Sequence, residues 1–401
     1  MTAAPKEVVL NEKHIAPLDG LRGLAVLMVL FDHFWLVQKP VSALQNGVYT
    51  FVQNGWIGVD LFFVLSGFLI TGILLDAKGS THYFRNFYAR RILRIFPLYW
   101  GFLFAYFVIA PTLLHLDPAS PYRIPLDIKL WFWTYTSNLL ALFHDVTIPP
   151  GTNHFWTLAV EEQFYMFWPA VVFLLSPKSL EKTCLWLVVF ALGVRLFLFT
   201  TPFHHTGGFA LTPARIDTLA IGAWLAVIYR DPARRQSVER LAPRAFVLAL
   251  VLLIVVNLPS VRLAGYSVAM QTFGFPLLAV MAASAISMGT GSEPGNAKLR
   301  NALTFQPLLA AGKYSYAMYV FHLPLVIALD VAGLHMRTFS GGRPPGMAAA
   351  LAYSIICSLL TFLAAFASWH LYEKHFLKLK RLFPRREPVF KLGSQPSAVS
   401  R

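Results

Sequence analysis

Eleven apolar runs dominate this 401-residue chain, at roughly 21–37, 56–75, 95–114, 129–143, 155–175, 182–200, 211–229, 245–258, 266–289, 307–330 and 346–372. A helix rises 1.5 Å per residue, so crossing a hydrocarbon core about 30 Å thick takes about 20 such residues. Most of the runs meet that length, and a water-soluble fold has no place for so many. Composition agrees. Hydrophobic residues make up 56% and charged residues 13%, against about 25% charged in a soluble domain. The mean hydropathy is +0.56. Disordered, fibrous and disulfide-scaffold chains are excluded. The two cysteines, Cys184 and Cys357, lie inside apolar runs and read as core filler. The fold class expected is all-α, a polytopic integral membrane protein.

A formal charge of +15 would suggest nucleic acid for a soluble protein. Here the basic residues fall between the apolar runs, so the lipid bilayer is the expected partner and nucleic acid is not. Segments 76–94, 230–244 and 373–386 hold five, five and six Lys or Arg, and all three are expected to be cytoplasmic. An even number of crossings must separate any two of them. Five runs lie between 94 and 230, so one does not cross. The shortest, 129–143, suits a short re-entrant or interfacial helix. About ten transmembrane helices remain, with both termini cytoplasmic in a plasma (inner) membrane. Segments 176–182 and 294–313 then also face inward, giving twenty-one basic residues inside against six in the outer loops. The organisation expected is a cytoplasmic tail over 1–20, a transmembrane domain over 21–372 and a basic cytoplasmic tail over 373–401. The first 20 residues contain acids and make a poor secretory leader.

Ionisable residues inside a span cost roughly 2.5–3.5 kcal/mol each at the centre, which makes each a candidate site; the bland alternative is an ion pair between helices. Arg22 and His33 stand eleven residues apart on the first run. That is 20° beyond three full turns, so they share a face about 16 Å apart along the axis. Glu161 and Glu162 are adjacent in an apolar helix, point about 100° apart and need different partners. One is expected to orient His33 or share its proton, and the other to pair with an arginine. Asp60, Arg215, Asp217 and His322 map to the same outer half. Arg90 and Arg94 share a face at i, i+4, with Arg91 beside them. Clustered guanidiniums at a membrane mouth suit phosphate, and Arg22 and Lys313 lie at that level. Two chemistries at two depths are expected: cations at the inner mouth, and a His/Glu/Asp cluster toward the outside.

Six ordered segments resemble the integral-membrane acyltransferase family 3. They are LDGLRGLAVLMVLFDHF (18–34, with Arg22 and His33), GVDLFFVLSGFLIT (58–71, with Ser66 and Gly67), YARRILRIFPLYW (88–100), FWTLAVEEQFY (155–165, with Thr157 where Ser is common), ARIDTLAIG (214–222) and GKYSYAMYVFHLPL (312–325). The resemblance covers about 20–372. It implies an O-acyltransferase that moves an acyl group, most often acetyl, from cytoplasmic acyl-CoA to a hydroxyl of a surface glycan, glycolipid or secondary metabolite. Acyl-CoA is a co-substrate, and no tightly bound cofactor and no metal are expected. Arg22 and His33 carry over as functional residues, and Arg90, Arg91 and Arg94 as donor-binding residues. Some relatives carry a fused SGNH-type domain, for which the residues after the last run are too few.

His33 either deprotonates the acceptor hydroxyl or is acylated first; Ser66 is a further nucleophile to weigh against its use in helix packing. The alternative from another class is a secondary transporter of a small anionic or acylated solute, since ten spans with buried charges fit it too. His14 and Asp19 form a His-x4-Asp spacing read as chance, His204 and His205 lack a second ligand pair, and no GxxxxGK[ST] loop is present.

Overall fold

A computed structural model describes residues 15–35, 42–113, 124–143, 148–203, 206–257, 265, 267–334 and 346–384. His14, His204, His205 and most of both tails lie outside the described residues. Among the described residues all regular structure is helical. The elements are α1 (Ala16–Phe34), α2 (Ala43–Val52), α3 (Gly58–Ala77), α4 (Tyr83–Phe104), α5 (Ala110–Leu113), α6 (Leu126–Trp133), α7 (Phe155–Leu174), α8 (Pro177–Leu198), α9 (Thr206–Ala210), α10 (Thr212–Ile228), α11 (Pro232–Asn257), α12 (Phe275–Thr290), α13 (Ala297–Leu303), α14 (Gln306–Val331), α15 (Met347–Ser368) and α16 (Lys374–Lys378), with short 3-10 and π-helical turns between some of them.

Six stretches among these residues are long and apolar enough to cross a membrane: Ala43–Ala77, Tyr83–Leu113, Thr206–Ile228, Met270–Thr290, Gln306–Val331 and Met347–Leu382. The outer surface is apolar in the way a bilayer demands. On α11, Val247, Leu248, Val251 and Ile254 are exposed, and on α8 Trp186, Val189 and Phe197 are exposed. These rows recur at helical spacing and form faces far larger than a water-soluble monomer leaves uncovered. The chain is a multi-pass membrane protein whose regular structure, among the described residues, is all helical.

Between helices, hydrocarbon gives no solvent-driven reason to associate, so close backbone approach supplies the packing. α1 meets α14 where a Cβ on Gly312 would stand 1.9 Å from the Asp19 carbonyl oxygen, and one on Gly23 2.1 Å from that of Leu308. α3 meets α10 in the same way through Gly67 and Gly222. Cys184 and Cys357 are free and buried.

The run 129–143 divides into α6, eight residues long, and a single 3-10 stretch over Ser137–Leu142. Neither is long enough for a bilayer. At the break, Tyr135 adopts a left-handed backbone (φ 55°), a conformation non-glycine residues rarely hold without support. The support is on both sides: its ring stacks on Tyr99 at 4.4 Å, and its carbonyl accepts a 2.9 Å hydrogen bond from Gln163 Nε2. Gln163 also donates to Asn138 Oδ1 at 2.9 Å, which fastens this short segment to α7.

Candidate active site

α7 organises the site. Thr157, Glu161 and Tyr165 are spaced four residues apart, so they project from one face in steps of about 6 Å. All three line a cavity of about 830 Å³, mouth included, together with Arg22 from α1, Ser66 from α3, Arg91 and Arg94 from α4, and Tyr316 and Tyr319 from α14. Glu162 lines it as well. Arg91 lays its guanidinium over the Tyr165 ring, 4.8 Å from the centroid. Arg22 is steadied one turn back by Asp19 Oδ1, 3.0 Å from Nη1.

Ser66 sits between two groups of α7. Its Oγ donates to Glu161 Oε1 at 2.5 Å and accepts from Tyr165 Oη at 2.8 Å. A serine in a helix commonly bonds back to its own i−4 carbonyl; this one reaches across to another helix instead. Close packing of α3 on α10 belongs to the neighbouring Gly67.

Beyond the Thr157 end of the cavity lies a group of imidazoles. Tyr319 shares a 2.8 Å hydrogen bond with Thr157, and its ring lies 5.4 Å from that of His322. The His322 ring is 5.0 Å from His33 and 4.5 Å from His154. His33 Nδ1 lies 2.9 Å from the Val29 carbonyl oxygen. A carbonyl only accepts, so Nδ1 carries the proton and Nε2 keeps the lone pair. The same logic applies to His322, whose Nδ1 lies 2.7 Å from the Tyr319 carbonyl oxygen. Among the described residues no group of His, Cys, Asp or Glu is arranged to hold a metal.

Several expectations need correction. Glu161 does not hold the His33 imidazole: its partner is Ser66. Glu161 stands seven residues, about 10 Å along the helix axis, from His154 at the start of α7. Both glutamates share a cavity with the arginines, as expected for one of them, and His33 is not in its wall. Arg90 does not join them. Its Nη1 donates to the carbonyls of Lys380 (3.1 Å) and Phe383 (2.8 Å), tying down the segment after α16. The pair facing the cavity is Arg91 and Arg94, at i, i+3 rather than i, i+4. Lys313 is exposed and lies over the rings of Tyr314 (5.0 Å) and Trp369 (5.6 Å), and it is not part of the cavity wall.

Asp60, Arg215 and Asp217 form a separate buried ionic group. Arg215 Nη2 pairs with Asp60 Oδ1, and Arg195 Nη2 pairs with Asp217 Oδ2 at 2.8 Å, both side chains fully buried. The Arg215 guanidinium stacks on Phe275, 3.8 Å from the centroid. It also lies near Phe63 at 5.6 Å, a residue of the cavity wall. This is the interhelical ion pairing that the bland alternative describes, and it braces α3, α8 and α10 behind the site.

Two members were missed in the sequence. His154 lies seven residues before Glu161 on the same helical face, which is signal enough. Arg195 is the one basic residue in the stretch 183–200 and should have been paired with a carboxylate on depth alone.

Similarity to known proteins agrees with this architecture. The chain is 27% identical over 351 residues to the O-acetyltransferase OatA of Staphylococcus aureus (strain NCTC 8325 / PS 47), covering 81% of this chain and 52% of that protein. It is 28% identical over 344 residues to the peptidoglycan O-acetyltransferase OatA of Listeria monocytogenes serovar 1/2a, covering 79% and 50%. It is 28% identical over 339 residues to the putative peptidoglycan O-acetyltransferase YrhL of Bacillus subtilis (strain 168), covering 79% and 49%. The chain thus spans about half the length of these curated relatives. No solved structure matches it. The family profile described as an acyltransferase domain matches residues 15–369, and with that match over most of its length the chain belongs to the acyltransferase family 3.

Proposed function

We propose that this protein is a membrane O-acetyltransferase that takes the acyl group of acyl-CoA from the cytoplasm and delivers it to a hydroxyl of a cell-surface glycan. The observation that carries this reading is the single cavity with guanidiniums of Arg22, Arg91 and Arg94 along it and the Thr157–Tyr319 pair leading from it to His33 and His322. Phosphates of the donor fit the arginines, which offer planar, paired donors. The thioester end reaches toward the imidazoles. Peptidoglycan, which two of the relatives' names specify, is the acceptor of choice.

The topology that goes with it has ten crossings. α1, α7, α8 and α11 contain 19, 20, 22 and 26 residues, each long enough to join the six stretches above. The lipid-like faces of α8 and α11 support that count. Positive segments 76–94 and 230–244 support an orientation with the arginine end inside and both termini in the cytoplasm.

In the chemistry, His33 Nε2 takes the proton of the acceptor hydroxyl as its oxygen attacks the thioester carbonyl. The C–S bond breaks, and the thiolate leaves with little acid help because a thiol has a pKa near ~8.5. His322 packs on the His33 ring and limits how it turns.

The test is transfer of labelled acetyl from acetyl-CoA to peptidoglycan fragments by the full chain in lipid vesicles. Label in the fragments, lost with His33→Ala, is the expected result. Labelled donor that is neither bound nor consumed overturns the reading. A transporter would instead move the label across the bilayer without joining it to any acceptor.

A further inference from the structure

The middle of the cavity carries an unusual demand. Six hydroxyl-bearing residues line it, and each has its proton committed. Ser66 gives to Glu161, Tyr165 to Ser66, Ser315 to the Gly312 carbonyl and Tyr316 to that of Ile95. Thr157 gives to the His154 carbonyl, which leaves Tyr319 to donate to Thr157. Glu161 and Glu162 reach the same wall with acceptor oxygens to spare, since each carboxylate has about four acceptor sites. A ligand lying there is best matched if it brings N–H or O–H donors of its own. At the Tyr165 end the demand reverses: Arg91 and its neighbours offer donors and call for an anion.

Length narrows the ligand further. Along α7, Tyr165 beneath Arg91 and His154 in the imidazole group are eleven residues apart, about 16 Å. Arg22 and His33 on α1 have the same separation. In the phosphopantetheine arm of coenzyme A, about thirteen bonds separate phosphorus from sulfur. At ~3.5 Å per three main-chain bonds, as in an extended peptide, that is about 15 Å. The arm has a phosphate at one end, a thioester at the other and two amides in between, each with an N–H. Glu161 stands between the two ends of the α7 face, four residues from Thr157 and four from Tyr165.

We propose that Glu161 and Glu162 read the two amide N–H groups of the extended pantetheine arm, with Ser66 and Tyr165 holding the Glu161 carboxylate in position. This rests on the acyl-CoA reading above and adds to it a determinant of donor choice. A thioester of the same length without amides offers neither carboxylate a further donor for its open acceptor sites, which is costly inside the membrane. The glutamates thereby become donor-binding groups, and Ser66 and Tyr165 positioning residues.

The experiment compares two donors on the full chain in lipid vesicles: S-acetyl-4′-phosphopantetheine, and an analogue with methylene in place of both amide N–H groups. A hydrogen bond to a charged group is worth about 1.5–3 kcal/mol, or roughly tenfold or more in rate. On the unaltered protein the amide donor should have the higher kcat/KM by at least about tenfold. Glu161→Met and Glu162→Met should erase most of that preference, chiefly through KM. Equal use of both donors by the unaltered protein overturns the proposal, and so does an undiminished preference in both variants. Should the variants fail to fold, competition settles it on the unaltered protein: pantetheine should inhibit transfer from acetyl-CoA and its methylene analogue should not, and equal inhibition overturns the idea. Failure of the unaltered protein to use acetyl-CoA at all would remove the parent reading instead.

Discussion

The imidazoles of His33 and His322 lie 5.0 Å apart, centroid to centroid, although almost three hundred residues separate them in the chain. Each ring directs Nδ1 to a backbone carbonyl of its own helix. Two helices that meet through glycine, α1 and α14, bring these rings together. The His33–His322 contact is therefore a property of one helix–helix interface, whereas the cavity wall draws on α1, α3, α4, α7 and α14.

His33→Ala should lower acetyl transfer by about 10²- to 10⁴-fold, the range for a lost general base. Donor binding at the arginines should survive, because His33 is not among the residues lining that cavity. Transfer kinetics beside a binding measurement with a CoA analogue checks both halves.

Arg91→Lys should raise KM for acetyl-CoA by about tenfold, since lysine gives a point charge in place of a planar fork. Arg90→Ala should leave KM alone and lower the melting temperature, because Arg90 serves two carbonyls after α16. If Arg90→Ala weakens the donor as much as Arg91→Lys does, the division of labour along α4 is wrong.

Arg195→Met should destabilise the fold by about 3–5 kcal/mol, the cost of a buried carboxylate left without its partner. The partner here is Asp217, which is as fully buried as Arg195. Replacing both, Arg195→Met with Asp217→Leu, should recover much of that loss. Unfolding of the purified variants in detergent reports the difference.

Gly312→Ala should reduce stability by about 1–3 kcal/mol, as overpacking does, because the new methyl group meets backbone at Asp19. Transfer should fall with it, since the same contact sets His33 against His322. An active variant with an unchanged melting temperature would argue against that coupling.

Much of this protein is legible from the order of its residues. Runs of apolar residues longer than a bilayer is thick have one physical solution, a helix, because the backbone must satisfy its own hydrogen bonds there. Length marks 129–143 as the run least suited to cross, and its residues form part of α6 and a short 3-10 stretch. The shared face of Arg22 and His33 follows from helical period alone. What period cannot supply is the partner across a helix interface. Glu161 finding Ser66 rather than His33, Arg90 turning to the chain after α16, and Asp60, Arg215 and Asp217 closing on Arg195 all depend on which helices lie side by side and how far one is displaced along another. Those distances are set by glycine contacts and side-chain volume between segments remote in sequence, and only the tertiary structure decides them.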